Sequence, residues 1–301
     1  MRRRLDAVLL LDKPVGLSSN AALQIARRRF GAAKAGHGGT LDPLASGLLP
    51  VLFGDATKFS SGTLEADKTY LATLALGVRT ASGDADGEIL ATRPVEFDDA
   101  ALAQALDAFR GEIEQVPPMH SALKRGGKPL YLLARKGIEV PREARRVRIS
   151  ALEQRRRTGT ELVLEVRCSK GTYVRTLADD LGERLGCGAH LAALRRTRVG
   201  PSRVEDAWTL ERLEALSDTQ LDSALLPVDC LVAGFAAVSL LPPAEGRFCH
   251  GQAVECAGRP PGQRRVYGRA GRFLGLGEVL EGGLLKPLRL LADSAQAADN
   301  H

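Results

Sequence analysis

The segment Gly36-His37-Gly38-Gly39-Thr40-Leu41-Asp42-Pro43-Leu44-Ala45-Ser46-Gly47-Leu48-Leu49-Pro50 has the residue types of a reaction centre. Its glycines let the backbone turn sharply or be closely approached by a ligand. Pro43 biases Asp42 toward an extended conformation from which the carboxylate projects. Leu41, Leu44, Leu48 and Leu49 can anchor the loop on a core. A carboxylate held this way suits acid, base or nucleophilic work, or else bonds nearby amides in an Asp-Pro turn. A second constellation is Cys168-Ser169-Lys170-Gly171-Thr172-Tyr173-Val174-Arg175-Thr176-Leu177. Here a strand ends, glycine turns the chain and a helix begins. Arg175 in the first helical turn sits at the unfavourable end of the helix dipole. That placement asks for an anionic partner: a carboxylate such as Asp42, or a phosphate. Lys68-Thr69-Tyr70 places a third group at the start of a strand, where Tyr70 can offer a flat ring to a base.

The elements that position these groups follow from pattern. Val8 to Leu11 reads as an apolar strand running into the turn Asp12-Lys13-Pro14-Val15-Gly16. Ser18 or Ser19 caps a helix through Phe30. Tyr70 to Gly77 alternates as a half-buried strand, and Glu161 to Cys168 is another. Asp98 caps a helix through Arg110, Tyr131 to Lys136 is helical, and Leu177, Leu181 and Leu185 share one face of a helix from Tyr173 to Leu185. Thr209 to Leu216 is a further helix, and Trp208 is expected at a domain junction. After about Leu231, Gly and Pro rise and the helical period fades. Short strands are expected at Ala236 to Leu240, Arg265 to Gly268 and Arg272 to Val279, with a frayed tail beyond.

The 301 residues point to two domains at about 150 residues each. Lys plus Arg exceed Asp plus Glu, 42 against 36, for a net charge of +6. The excess gathers in arginine clusters at 27–29, 142–157, 195–203 and 264–272. Spaced guanidinium patches fit a long polyanion better than one small anion, and the 142–157 stretch is expected to grip phosphates. The five cysteines form no C-x-x-C pair, so free thiols in a reducing compartment are expected. No apolar run is long enough for a membrane span, and Asp6, Asp12 and Lys13 break the N-terminal one, so a cytoplasmic location is expected. There is no P-loop, no G-x-G-x-x-G after a strand, no G-x-S-x-G and no H-E-x-x-H. A nucleotide kinase, a serine hydrolase and a zinc enzyme lose weight accordingly.

In order along the chain, these motifs resemble those of the TruB family of pseudouridine synthases. Asp12-Lys13-Pro14 with Gly16 and Ser18-Ser19 resembles the family's D-K-P-x-G-x-T-S, and Gly36 to Pro50 its G-H-x-G-T-L-D-P-x-A-x-G-x-L-P. Lys68-Thr69-Tyr70 resembles its K-x-Y. Gly77-Val78-Arg79-Thr80 through Asp84 and Gly87 resembles the loop that follows. Pro117-Pro118-Met119 through Ser121-Ala122, Lys124, Gly127 and Leu130-Tyr131 to Gly137 resembles its RNA-gripping insertion. Cys168 to Leu177 with Asp180-Leu181-Gly182 resembles its arginine motif. Ser18 stands where Thr is usual, Gly38 replaces a larger residue, which would loosen the loop, and His120 sits where Tyr is common. The C-terminal region resembles a PUA-like domain through Phe273 to Val279 and Pro287-Leu288-Arg289.

The resemblance implies an α+β fold: a mixed, mainly antiparallel sheet with flanking helices, plus a small C-terminal β-barrel PUA-like domain. The implied domains are 1–231, with an insertion at about 117–140, then 232–292, then a disordered tail at 293–301. The implied reaction converts uridine 55 in the T-loop of tRNA to pseudouridine after base flipping. It uses no metal and no cofactor. Asp42 is then the essential carboxylate, attacking the sugar, attacking the base or deprotonating the sugar. Arg175 aims Asp42, Tyr70 stacks on uracil, and Tyr173 and Leu194 line its pocket. His37 supports the displaced base, while Lys13 and Pro14 prop the loop. Asp84 either contacts RNA or caps its turn. The implied partner is the T-arm of tRNA, with no guide RNA and no membrane, and the protein a monomer. The competing reading is a noncatalytic RNA-binding or tRNA-folding factor on the same scaffold.

Overall fold

Two large β-sheets with helices packed on them, and two small two-stranded ones, make up the computed structural model, which describes residues 2–119, 121, 123–134 and 137–292. His120, Ala122, Lys136 and the expected tail at 293–301 lie outside the described residues.

The chain begins with β1 (Ala7–Lys13), and Ser18 caps α1 (Ser19–Arg29) by accepting from the Ala21 amide at 3.1 Å. Then come β2 (Ala35–His37), β3 (Ala45–Phe53), the single turn α2 (Ser61–Leu64) and β4 (Lys68–Leu76). A hairpin of β5 (Val78–Thr80) and β6 (Ile89–Thr92) leads to α3 (Asp99–Ala108), capped by Asp98, and β7 (Gly111–Gln115). The insertion holds β8 (Lys124–Arg125), β9 (Lys128–Pro129) and α4 (Leu130–Ala134). After it come β10 (Arg145–Thr158), β11 (Glu161–Cys168), α5 (Val174–Arg184), β12 (Ala189–Val199) and β13 (Ser202–Arg203). The body closes with α6 (Leu210–Ala215) and β14 (Leu225–Leu226).

The large sheet has ten strands, along the path β14-β1-β3-β12-β4-β11-β10-β7, with β2 and β13 at its flanks. All its pairings are antiparallel except β12 with β3. One face buries Leu74, Leu152, Leu164, Leu177 and Leu181 under α3 and α5. Leu9, Val51, Phe53 and Phe30 pack with α1 and α6. Trp208 belongs to this second cluster, with its amide on the Leu10 carbonyl and Arg212 stacked 4.4 Å over its ring. It therefore packs inside the main body and not at a domain junction, because the chain runs beside β1 at that point.

The C-terminal sheet is an open, curled half-barrel of β15 (Ala236–Ser239), β16 (Val254–Glu255), β17 (Gly262–Tyr267), β18 (Phe273–Val279) and β19 (Leu284–Leu290). Its strand order is β15-β17-β18-β19-β16. Helix α7 (Pro242–Cys249) also lies here, against the expectation that helical order ends near Leu231. Its two prolines occupy the first turn, where no amide is needed, and Phe248 and Cys249 bury its inner face. The sheet packs on the body through Phe59 and Phe273, 5.7 Å apart, and through the Ala292 amide on Asp55. No helix among the described residues is long and apolar enough to cross a membrane.

Candidate active site

Asp42 lies at the tip of the loop between β2 and β3, with its side chain 48% exposed. Three earlier residues fix that loop. The Ser19 hydroxyl accepts from the Leu41 amide at 2.7 Å and donates to the Leu41 carbonyl at 2.8 Å. The Gly16 amide donates to Pro43 O at 2.8 Å. Fully buried Lys13 holds the turn itself, donating to Pro14 O at 2.8 Å and Leu17 O at 2.7 Å. Lys13 belongs to the end of β1 and not to the turn, and its burial brings its pKa down to about 8. The flanks of Asp42 are thus clamped while its carboxylate stays open to solvent.

Arg175, the second residue of α5, reaches Asp42 Oδ2 at 3.0 Å and Asp84 Oδ2 at 3.2 Å. Arg175 and Asp84 are both 8% exposed. Asp84 also accepts from Ser82 Oγ and from the Asp86 amide at 3.2 Å. Asp84 therefore caps its own turn and backs Arg175. The cation anticipated at the wrong end of a helix dipole has two carboxylates to compensate it.

A cleft of about 380 Å³ opens at Asp42. Tyr70, Tyr173, Leu194, Arg175, Lys68 and Arg196 share its lining with Asp42. Burial raises the phenol pKa of Tyr70 and of Tyr173, so both rings are neutral and apolar-faced at ordinary pH. Tyr173 is held at its main chain by Gln115, which accepts from its amide at 3.0 Å and donates to its carbonyl at 3.3 Å. His37 and Pro14 lie outside the cleft lining. His37 sits on β2, its Nδ1 buried with no hydrogen-bond partner among the described residues, and burial lowers its pKa with Arg196 adding to the effect. A larger cavity of about 800 Å³ lies between the β5–β6 hairpin and the β10–β11 turn, and none of these groups lines it.

Arg196 and Gln115 were not anticipated from sequence. Arg196 is 1% exposed and stands on β12 directly opposite Tyr70 of β4. It donates Nε to Leu48 O at 2.8 Å, and its terminal nitrogens reach Gly39 O at 3.1 Å and Thr40 O at 3.4 Å. Its charge also acts on the Tyr70 phenol. One guanidinium thus ties β3 to the loop before Asp42. Gly47 makes room for the backbone of β12: a Cβ there would stand 2.3 Å from the Arg196 carbonyl oxygen. Gly38 is likewise filled and not loose, because a Cβ at that position would stand 2.2 Å from Thr63 Oγ1. The 142–157 arginines are largely engaged within the protein. Arg142 pairs with Glu139, Arg155 with Glu153 and Glu165, Arg156 with Glu161 and Arg157 with Asp99. The five cysteines are free, and four are buried. Among the described residues no group of three or more His, Cys, Asp or Glu is placed to hold a metal ion.

The architecture is that of the pseudouridine synthases. A solved Cbf5–Nop10–Gar1 complex matches with a TM-score of 0.73 and 25% identity, over 96% of this chain and 86% of that one. An H/ACA RNP bound to a substrate RNA containing 2′-deoxyuridine shares the fold at a TM-score of 0.71 and 24% identity, over 96% of this chain and 86% of that one. Residues 27–174 match the N-terminal domain of the TruB family pseudouridylate synthases. Residues 175–233 match the tRNA pseudouridylate synthase B C-terminal domain, and 236–291 the C-terminal region of pseudouridine synthase II TruB. A tRNA pseudouridine synthase B of Burkholderia mallei is 56% identical, covering 98% of this chain and 99% of its own. One of Dechloromonas aromatica is 54% identical, covering 96% of each chain. The chain belongs to the TruB family of pseudouridylate synthases.

Proposed function

We propose that this protein isomerises uridine 55 in the T-loop of tRNA to pseudouridine, acting alone and without a guide RNA. The observation that carries the reading is the half-exposed Asp42 carboxylate, held 3.0 Å from a buried Arg175 at the mouth of a cleft walled by Tyr70, Tyr173 and Leu194. The tRNA substrate follows the names of relatives matched over nearly their full length. The target base is flipped into the cleft. Tyr70 stacks on it, which offsets a few kcal/mol of unstacking. Tyr173 and Leu194 close its other sides. Asp42 meets the sugar or the base as the N1–C1′ bond breaks, and C5 takes the place of N1 on C1′. Lys13 and Pro14 hold the loop, and His37 supports RNA beside the displaced base. The residues supply acid, base and stacking groups, so neither metal nor cofactor enters this scheme. Residues 1–231 act as the catalytic domain, with the insertion at about 117–140 gripping the T-arm, and residues 232–292 as an RNA-binding domain. The working form is a cytoplasmic monomer.

The test uses an unmodified tRNA transcript tritiated at uridine C5. Isomerisation releases the C5 hydrogen, so wild type should liberate one tritium per tRNA and Asp42→Asn none, while both bind the RNA. Binding without release by well-folded wild type would favour the noncatalytic RNA-folding factor.

A further inference from the structure

The charged groups lining the cleft are Asp42, Arg175, Lys68 and Arg196. Arg175 is committed to Asp42 and Asp84. The other two cations are different in kind. Lys68 is buried and donates to Leu64 O at 2.8 Å and Ala66 O at 2.6 Å. Arg196 donates to the carbonyls of Leu48, Gly39 and Thr40. Among the described residues neither forms an ion pair with a carboxylate. Glu65 and Asp67 neighbour Lys68 without pairing with it, and Glu65 pairs instead with Lys170. Lys13, a third buried cation bonded to carbonyls, feels the Asp42 carboxylate without forming an ion pair with it. Burial lowers the pKa of Lys13, His37 and Lys68, Lys68 to about 8, and the Arg196 charge adds to the effect at each.

Buried charge without a counter-ion is costly, and an anion brought beside it offsets that cost. The carbonyls hold these cations in place without neutralising them. A fixed positive potential in a water-poor cleft is most effective where negative charge develops during the reaction. The base-binding walls Tyr70 and Leu194 are on the same strands as Lys68 and Arg196.

We infer that Lys68 and Arg196 form a cationic floor that stabilises the uracil anion released when the N1–C1′ bond breaks. The inference rests on the proposed isomerisation. Heterolysis leaves the bonding electron pair on uracil, spread over N1, O2 and O4. The electron deficiency at C1′ is met when the Asp42 carboxylate bonds to it, or when Asp42 takes the C2′ proton. C5 of the anion then bonds to C1′. In the first route it displaces the carboxylate; in the second, C2′ recovers its proton from Asp42. C5 finally loses its proton and N1 gains one. The floor acts only while the pair resides on the base. Arg196 has a second, positioning role through Leu48, Gly39 and Thr40.

The test compares T-arm RNAs carrying uridine or 5-fluorouridine at the target. Fluorine withdraws electrons and stabilises the departing anion, so that base depends less on the floor. Since C5 then carries no hydrogen to lose, the readout for both RNAs is disappearance of the target nucleoside in single-turnover digests. Lys68→Gln and Arg196→Gln should slow uridine consumption about 100-fold and 5-fluorouridine consumption about 10-fold or less. Arg196→Lys keeps the charge but loses the fork to the Leu48, Gly39 and Thr40 carbonyls, so whatever rate it loses should be lost equally on the two RNAs. Equal losses on both RNAs in the glutamine variants would show a merely structural role and overturn the inference. Should Arg196→Gln fail to fold, Lys68→Gln carries the comparison. A wild type inert on uridine RNA would remove the proposed function and this inference with it. An active wild type whose glutamine variants lose both rates equally would remove the inference alone.

Discussion

Asp84→Asn separates the support of Arg175 from the chemistry of Asp42. The native Asp84 carboxylate is 8% exposed and lies 3.2 Å from a guanidinium that is itself 8% exposed. Deleting one partner of a buried pair costs about 3–5 kcal/mol. Here Arg175 keeps Asp42, and asparagine keeps an oxygen for Ser82 and the Asp86 amide. The expected cost falls to about 2 kcal/mol. At about 2 °C per kcal/mol for a chain of this size, the melting temperature drops by about 4 °C. Asp42→Asn breaks a pair whose carboxylate is 48% exposed, so its cost stays at or below about 1 kcal/mol. Activity runs the other way. Asp84→Asn leaves the reactive carboxylate in place and loses about tenfold in single-turnover rate through a less well aimed Arg175. Asp42→Asn leaves no measurable product. Differential scanning fluorimetry and a pseudouridine assay on the same preparations check this crossed pattern. A more destabilised Asp42→Asn, or an Asp84→Asn of wild-type stability, would refute the assignment of Asp84 as the buried anchor.

Gly38→Ala should destabilise by about 1–3 kcal/mol, since its Cβ would meet Thr63 Oγ1 at 2.2 Å and Thr63 Cβ at 2.7 Å. Adding Thr63→Gly should recover part of that loss in thermal melts, and no recovery would discount the contact. Gln115→Ala removes both bonds to the Tyr173 main chain, for about 2 kcal/mol by urea unfolding, with a slower single-turnover rate. Lys68 titrates near 8 when folded but near 10.4 when unfolded. Between those values the unfolded chain holds the extra proton, so the contribution of Lys68 to stability rises with pH across that window. The stability of wild type relative to Lys68→Met should accordingly grow from pH 7.5 to pH 10, and a flat difference would contradict the burial.

The reactive pair was legible because its signals were local: an Asp-Pro on a glycine loop, and an arginine at the wrong end of a helix. Glu161–Cys168 was equally plain, since its short apolar run ends where glycine turns the chain. Strand β12 escaped notice. Its residues Arg195, Arg196 and Arg198 read as part of a basic patch for a polyanion, yet strand geometry turns neighbours to opposite faces. Arg195 pairs with Asp12 at 2.7 Å and is 40% exposed, whereas Arg196 points inward to carbonyls that become available only once β3 lies alongside. Long β10 was hidden for a related reason: its charges serve cross-strand pairs with Glu165 and Glu161, which no local window contains. Gln115 carried no signal, because its partners are main-chain atoms fifty-eight residues away. Gly38 was open to misreading, since a missing side chain looks like slack until Thr63 is seen filling the space.

Position-resolved pseudouridine mapping on an unmodified tRNA transcript tests the central claim most directly. The protein is added alone, without metal, nucleotide or guide RNA, as wild type and as Asp42→Asn. The account predicts one new pseudouridine, at position 55 in the T-loop, with wild type, and none with an Asp42→Asn protein that still binds the tRNA. A pseudouridine formed by Asp42→Asn, or none formed by well-folded wild type, would contradict it.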